Sequence, residues 1–116
     1  MALLTLSFHD ATRGVAIPGI DVEIQKIEEG SWKVLAQLNS NIGGEISINA
    51  ADADDDLSGY YEATARIGNY FLDAGYVLPT LKFIDVLPIR FGVFDAESDT
   101  KLSISVTPYG YSLQAS

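Results

Sequence analysis

Apolar and polar residues alternate one by one in three stretches of this chain. The apolar positions of these stretches are Leu4, Leu6 and Phe8; Ile20, Val22 and Ile24; and Leu102, Ile104 and Val106. Successive side chains of a β-strand point to opposite faces, so this two-residue period predicts strands that each bury one face. In the first stretch the polar residues Thr5, Ser7 and His9 share the opposite face.

Further strands are predicted between residues that favour turns, at residues 32–38, 45–48, 60–67, 89–93 and 109–114. One helix is predicted from Asn69 to Ala74, because its apolar residues do not alternate cleanly and Gly68 and Gly75 bracket it. Seven or eight short strands at this spacing predict an all-β fold, a two-sheet sandwich.

The length of 116 residues suits one hydrophobic core, which predicts a single domain, residues 1–116. The net charge of −9, with only seven Lys and Arg residues, makes nucleic acid and anionic membranes unexpected partners. No apolar run approaches the roughly 18 to 20 residues of a membrane helix. The absence of cysteine and of a secretory pattern at the start favours a cytoplasmic protein.

Four short segments, in the same order along the chain, resemble one known family. They are Asp10-Ala-Thr-Arg-Gly14, Gly43-Gly44-Glu45, Asn69-Tyr70-Phe71 and Thr107-Pro-Tyr-Gly-Tyr-Ser112. The chain is similar in these segments to the transthyretin and 5-hydroxyisourate hydrolase family. The resemblance runs from Leu4 to Ser112, with a small insertion near residues 81–87.

This resemblance implies a transthyretin-like sandwich of about eight strands with one short helix. It also implies a homotetramer, a dimer of dimers, whose central channel holds sites for a small molecule. The family has two known uses, hydrolysis of 5-hydroxyisourate and transport of thyroid hormone, and the fold alone does not choose between them.

The hydrolase residues of the family are replaced in this chain. Ser7 stands where the hydrolases have a His in the first strand, Glu45 where they have an Arg, and Lys101 where they have a second His. Their C-terminal Tyr-Arg-Gly-Ser gives way to residues 113–116, Leu-Gln-Ala-Ser. No base with a pKa near neutrality remains at these positions, so we expect no efficient 5-hydroxyisourate hydrolysis.

The same face nevertheless keeps polar groups that could do chemistry. His9 and Lys101 are the candidate catalytic residues, because an imidazole titrates near neutrality and an amine can stabilise negative charge. The candidate substrate-binding residues are Ser7, Glu45, Ser103, Ser112 and Gln114. Two alternatives stay open: His9 as a surface or interface histidine, and Lys101 as an exposed lysine paired with Glu45.

No metal or cofactor is expected. The acidic run that begins at Asp52 lacks the EF-hand pattern, since Leu57 and Ala63 occupy the positions that require Gly and Glu. A solvated loop is the better interpretation of this run. There is also no Gly-x-Ser-x-Gly elbow for a serine hydrolase.

These features favour an enzyme on a transthyretin-like scaffold whose site is rebuilt for a small molecule other than 5-hydroxyisourate. Acid/base chemistry such as ring opening, cyclisation or isomerisation, in a specialised-metabolite pathway, fits the residues that remain. The alternatives are a non-catalytic small-molecule binder of the transthyretin type and an inactive subunit of a larger assembly.

Overall fold

The computed structural model describes residues 3–53, 56–77, 81–82 and 84–115. Within these ranges the chain forms nine strands and one α-helix. In chain order they are β1 Leu3–Asp10, β2 Val15–Ala16, β3 Asp21–Glu28, β4 Ser31–Asn39, β5 Glu45–Asn49, β6 Gly59–Arg66, α1 Gly68–Asp73, β7 Val86–Val93, β8 Thr100–Thr107 and β9 Gly110–Ala115. A short 3₁₀ turn, Ala50–Ala53, follows β5.

The strands form two sheets. In the first sheet β1 lies between β8, which runs parallel to it, and the antiparallel strands β5 and β2, which share its other edge. β9 pairs with the far side of β8 and forms the edge of this sheet. The second sheet has the order β4, β3, β6, β7, with every pair antiparallel.

The hydrophobic core lies between the two sheets. Alternate residues of the long strands point inward, and the largest side chains buried there include Leu4, Leu6, Phe8, Ile24, Tyr61, Phe71, Ile89 and Ile104. The Tyr61 hydroxyl donates a hydrogen bond of 2.6 Å to the carbonyl oxygen of Leu57. Its ring stacks on Phe91, with 5.5 Å between the ring centroids. Tyr61 can therefore be buried without an unpaired polar atom.

The predicted fold class is confirmed: the chain is an all-β sandwich of two sheets with one short helix. The helix begins at Gly68, one residue before the predicted start, and ends at Asp73. A two-residue strand that was not predicted, β2, lies between the first two predicted strands. Within the described part of the chain, no helix is both long enough and apolar enough to cross a membrane.

The acidic run is only partly described, because residues 54 and 55 lie outside the described ranges. Asp52 caps the 3₁₀ turn: its Oδ2 accepts a 2.9 Å hydrogen bond from the amide of Asn49. The carboxylate of Asp56 accepts hydrogen bonds from the amide and the hydroxyl of Ser58, at 2.9 and 2.7 Å. These two carboxylates hold turns in place.

Candidate functional site

The outward face of the first sheet is polar, and the strand register fixes which side chains lie on it. Three rows cross the strands: Ser47, Thr5 and Lys101; Glu45, Ser7, Ser103 and Gln114; and Ala16, His9, Ser105 and Ser112. We call the surface formed by these three rows the polar face. Leu4, Leu6 and Phe8 point the other way and are fully buried. A register shift of one residue in β1 would turn its polar side chains into the core.

Ser7 lies between Glu45 and Ser103 in the middle row and is only 2% exposed. Its Oγ is 3.5 Å from Nδ1 of His9, the next residue of β1 on the same face. The tautomer of the imidazole decides which of the two atoms donates. This contact orients the half-buried imidazole of His9 and leaves Nε2 on the side of the ring turned away from Ser7.

Lys101 and Glu45 form an ion pair on the polar face. The Lys101 Nζ lies 3.3 Å from Oε2 of Glu45, and the two side chains are 48% and 39% exposed. Beside this pair, the hydroxyls of Thr5 and Ser47 are 3.1 Å apart. The pairing that the sequence left open for Lys101 is therefore present, and it places opposite charges side by side at one end of the polar face.

A tight turn positions Glu45 at the start of β5. Oδ1 of Asn41 accepts hydrogen bonds from the amides of Gly43 and Glu45, at 2.9 and 3.0 Å. The carbonyl oxygen of Gly44 accepts a 2.8 Å hydrogen bond from the amide of Phe8 in β1. Gly44 has a φ of +78°, and a Cβ built on it would lie 2.5 Å from the Phe8 carbonyl oxygen. Only glycine fits this position without a shift of the backbone.

Behind the polar face, the last residue of β1 holds a buried cluster. Asp10 is fully buried, and its Oδ2 accepts hydrogen bonds from the hydroxyls of Tyr70 and Tyr76, at 2.8 and 2.7 Å. Its Oδ1 accepts hydrogen bonds from the amides of Thr12 and Arg13, at 2.9 and 3.2 Å. We call Asp10, Arg13, Tyr70 and Tyr76 the Asp10 cluster. The cluster ties α1 and the residues after it to the strand that carries His9.

The electrostatics of the Asp10 cluster keep its carboxyl ionised at neutral pH. Burial raises the pKa of Asp10, but the hydrogen bonds from Tyr76, Tyr70 and two backbone amides outweigh it, so the pKa lies below the usual 3.8. Burial and the adjacent Asp10 carboxylate raise the pKa of Tyr70 to about 12. The guanidinium carbon of Arg13 lies 4.4 Å from the centre of the Tyr76 ring.

Two clefts of the described chain lie away from the polar face. One, of about 480 Å³, is on the outer side of the second sheet, and its lining includes Asp21 and Arg66. The other, of about 620 Å³, is beside the 3₁₀ turn, and its lining includes Asp56 and the buried Lys26. Neither lining contains a residue of the polar face. Across the described residues, no three His, Cys, Asp or Glu side chains are grouped as a metal site requires.

All seven predicted site residues lie on the polar face: His9, Lys101, Ser7, Glu45, Ser103, Ser112 and Gln114. Their roles stay predictions. Ser47 was not predicted as a site residue, although the alternation from Glu45 to Ser47 places both residues on one face. Asn41 was not predicted either, because its role in the turn depends on a side-chain hydrogen bond that composition does not reveal.

The chain matches a known protein family over nearly its whole length. The sequence profile of the HIUase/Transthyretin family matches residues 4–114. The chain belongs to this family. A curated relative, the 5-hydroxyisourate hydrolase of Halalkalibacterium halodurans, is 31% identical over 110 residues, which cover 94% of this chain and 92% of that protein.

Solved structures of the same fold agree with this membership. The 5-hydroxyisourate hydrolase of Klebsiella pneumoniae superposes with a TM-score of 0.76 and 26% identity, covering 100% of this chain and 99% of that one. An (S)-allantoin synthase superposes with a TM-score of 0.86 and 19% identity, covering 99% of this chain and 43% of that one. At 19% identity, the second likeness concerns the fold alone.

Proposed function

We propose that this family member is a cofactor-independent enzyme that performs acid/base chemistry on a small molecule other than 5-hydroxyisourate. The polar face is its site, and ring opening, cyclisation or isomerisation is the class of reaction. A specialised-metabolite pathway in the cytoplasm is the proposed setting. The observation that carries the proposal is the register that brings His9, Lys101 and Gln114 onto one face of the first sheet.

The proposed exclusion of 5-hydroxyisourate rests on three positions. In the resemblance drawn above, the hydrolases have His, Arg and His where this chain has Ser7, Glu45 and Lys101. Ser7 is buried, and Lys101 forms an ion pair with Glu45. Neither side chain takes over the work of a neutral imidazole that activates water.

In the proposed mechanism, His9 moves the proton. Its Nδ1 is next to the Ser7 hydroxyl, so Nε2 is the nitrogen that meets the substrate. Lys101 and Gln114 stabilise the oxyanion that develops when a carbonyl group of the substrate reacts. The hydroxyls of Ser103 and Ser112 hold the substrate over the rows by donating and accepting hydrogen bonds.

The proposed assembly is a homotetramer, a dimer of dimers. In one chain the polar face forms a single wall, and the two clefts described above lie elsewhere. Two such walls facing each other across a channel would enclose a substrate and exclude water from the reacting groups, which strengthens electrostatic stabilisation.

The first experiment offers the purified protein 5-hydroxyisourate, generated from urate by urate oxidase, and follows its decay by ultraviolet absorbance. We expect decay at the spontaneous rate, because the three hydrolase positions are replaced. The Klebsiella pneumoniae hydrolase serves as the positive control. Decay at the rate of that control would overturn the proposal.

The second experiment compares the protein with its His9→Ala variant in incubations with a small-molecule extract of the source organism. Mass spectrometry is expected to find a compound that the protein consumes and the variant does not. Ser47→Ala is the matched control, because Ser47 lies on the same face and has no proposed role in proton transfer. A compound consumed equally well by the His9→Ala variant would contradict the assigned role of His9.

A non-catalytic small-molecule binder is the second candidate. The ion pair of Lys101 and Glu45 favours it, because a paired amine is less available for chemistry than a free one. A ligand that stays with the protein through purification and is recovered unchanged would support this candidate.

A further inference from the structure

The charges of the polar face cancel. Glu45 carries one negative charge and Lys101 one positive charge, and their Oε2 and Nζ atoms are 3.3 Å apart. His9 is the other titratable group in the three rows, and its Nδ1 is next to the Ser7 hydroxyl. The remaining polar side chains of the rows are hydroxyls and one amide. An approaching anion therefore meets a lysine that already has a counter-ion.

The rest of the molecule adds no attraction for an anion. The chain carries 16 Asp and Glu residues against seven Lys and Arg residues, a net charge of −9. A summed field of this sign repels anions at distances up to about 8 to 10 Å at physiological ionic strength. The ion pair of Lys101 with Glu45 and the net charge of the chain thus both disfavour binding of an anion.

The uncharged groups of the polar face suit a neutral ligand. The hydroxyls of Ser103, Ser105 and Ser112 each donate and accept hydrogen bonds, and the Gln114 amide does both as well. These four side chains occupy neighbouring positions on β8 and β9, where Ser103 pairs with Gln114 and Ser105 with Ser112. A ligand with N–H and C=O groups and no formal charge would find partners for both.

We propose that the polar face selects uncharged, hydrogen-bonding small molecules over their carboxylate-bearing counterparts, and that Glu45 determines this selectivity by neutralising Lys101. This inference rests on the proposed function, because it concerns the same site. It adds that the ligand is uncharged, and it names Glu45 as the residue whose replacement would let the site accept carboxylates.

The test titrates the ¹⁵N-labelled protein with two matched pairs of compounds and follows its backbone amide resonances. The pairs are 2-pyrrolidinone against pyroglutamate, and dihydrouracil against dihydroorotate, which differ in each case by one carboxylate. We expect the neutral member of each pair to shift amide resonances of the polar face and to bind at least about threefold more tightly than its acid.

Variants separate the role of Glu45 from the overall charge. Glu45→Gln frees the amine of Lys101 and is expected to strengthen binding of the two acids about three- to fivefold. Glu62→Gln is the control, because it removes the same charge from an ion pair of the second sheet, Arg90 with Glu62 at 3.3 Å. It is expected to leave all four affinities unchanged. Lys101→Met removes the amine and is expected to weaken binding of the acids only.

The outcomes distinguish this inference from the proposed function. Binding of the acids to the polar face as tightly as their neutral partners would overturn the inference and leave the proposed site intact. An equal gain in Glu45→Gln and Glu62→Gln would assign the effect to net charge and would overturn the role of Glu45. If none of the four compounds shifts a resonance of the polar face, the inference about the ligand class is wrong, whereas the proposed function is decided separately by the comparison with His9→Ala.

Discussion

Gly44 gives the clearest test of backbone geometry at the scale of single residues. Its φ is +78°, and the Cβ of an alanine would lie 2.5 Å from the carbonyl oxygen of Phe8. Gly44→Ala is expected to lower the free energy of unfolding by roughly 2 to 4 kcal/mol, since strain and a backbone clash add. Urea denaturation followed by tryptophan fluorescence measures the loss.

Gly14→Ala is the matched control for this substitution. Gly14 has a φ of +70°, and a Cβ there would meet nothing within 4 Å. The control therefore has the same strain without the clash and should lose about 1 kcal/mol. Equal losses in the two variants would show that the contact with Phe8 is not what excludes a side chain.

The two-residue period predicts the face of the sheet on which a side chain lies. It predicts less well how exposed that side chain is and which partners it has. It places Ser7 on the polar face but does not predict its 2% exposure, which depends on neighbours from β5 and β8. The same period continued along β3 places Lys26 on the inward face, but it does not predict how a charged amine that is only 6% exposed finds a partner there. The amine of Lys26 donates a 2.5 Å hydrogen bond to the backbone oxygen of Asp56. Such partners are distant in sequence and have no local signal.

At the scale of elements, the Asp10 cluster makes the attachment of α1 depend on pH. The pKa of Asp10 is below its unfolded value of 3.8, so the ionised carboxylate stabilises the folded state above pH 3.8. This stabilisation is lost as the pH falls through the lower, folded-state pKa. Asp10→Asn is expected to unfold more easily at pH 7, because a neutral amide is a weaker acceptor for the two tyrosine hydroxyls.

The pH dependence is measured by urea denaturation from pH 7 down to pH 3. The free energies of unfolding of the protein and of Asp10→Asn are expected to converge as the pH falls, because protonation removes the charge that the variant lacks. Hydrogen exchange at pH 7 should show faster opening of α1 in the variant. A stability difference that stays constant down to pH 3 would contradict the assignment to Asp10.

Element boundaries follow local rules only in part. The predicted strands are all present: three keep a strict alternation, and the others lie between residues that favour turns. β2 is missed because two residues, Val15 and Ala16, are too few to show a period. Its pairing with His9 and Asp10 comes from the return of the chain along β1. The helix is predicted one residue late because Gly68, a weak helix former, is its first residue.

At the scale of the whole molecule, the net charge of −9 opposes the proposed tetramer. Four chains of 12.5 kDa have a mass of 50 kDa. Light scattering after size exclusion should find this mass at about 0.15 M salt, where repulsion is screened within about 8 Å. The melting temperature should be lower at about 0.01 M salt, where the screening length is about 30 Å. A monomer of 12.5 kDa at both salt concentrations would refute the tetramer.

The register of the first sheet is the part of the site that local patterns do not predict. Alternation assigns Ser7, Ser103 and Gln114 to outward faces, but it does not state that they form one row. That information depends on which strands are neighbours, and β1 and β8 are near opposite ends of the chain. The family resemblance supplied the neighbours, and the structure gives the row in which each residue lies.

The parallel pairing of β1 with β8 also has a consequence for synthesis. Leu4 pairs with Thr100 and Asp10 with Val106, so half of the backbone partners of β1 are made 96 residues after it. At about 5 to 20 residues per second, β1 leaves the ribosome several seconds before β8 exists. During that interval its edge is open to strands of other nascent chains. A message truncated before β8 would yield a polypeptide prone to aggregation, and the residues around His9 would never come together.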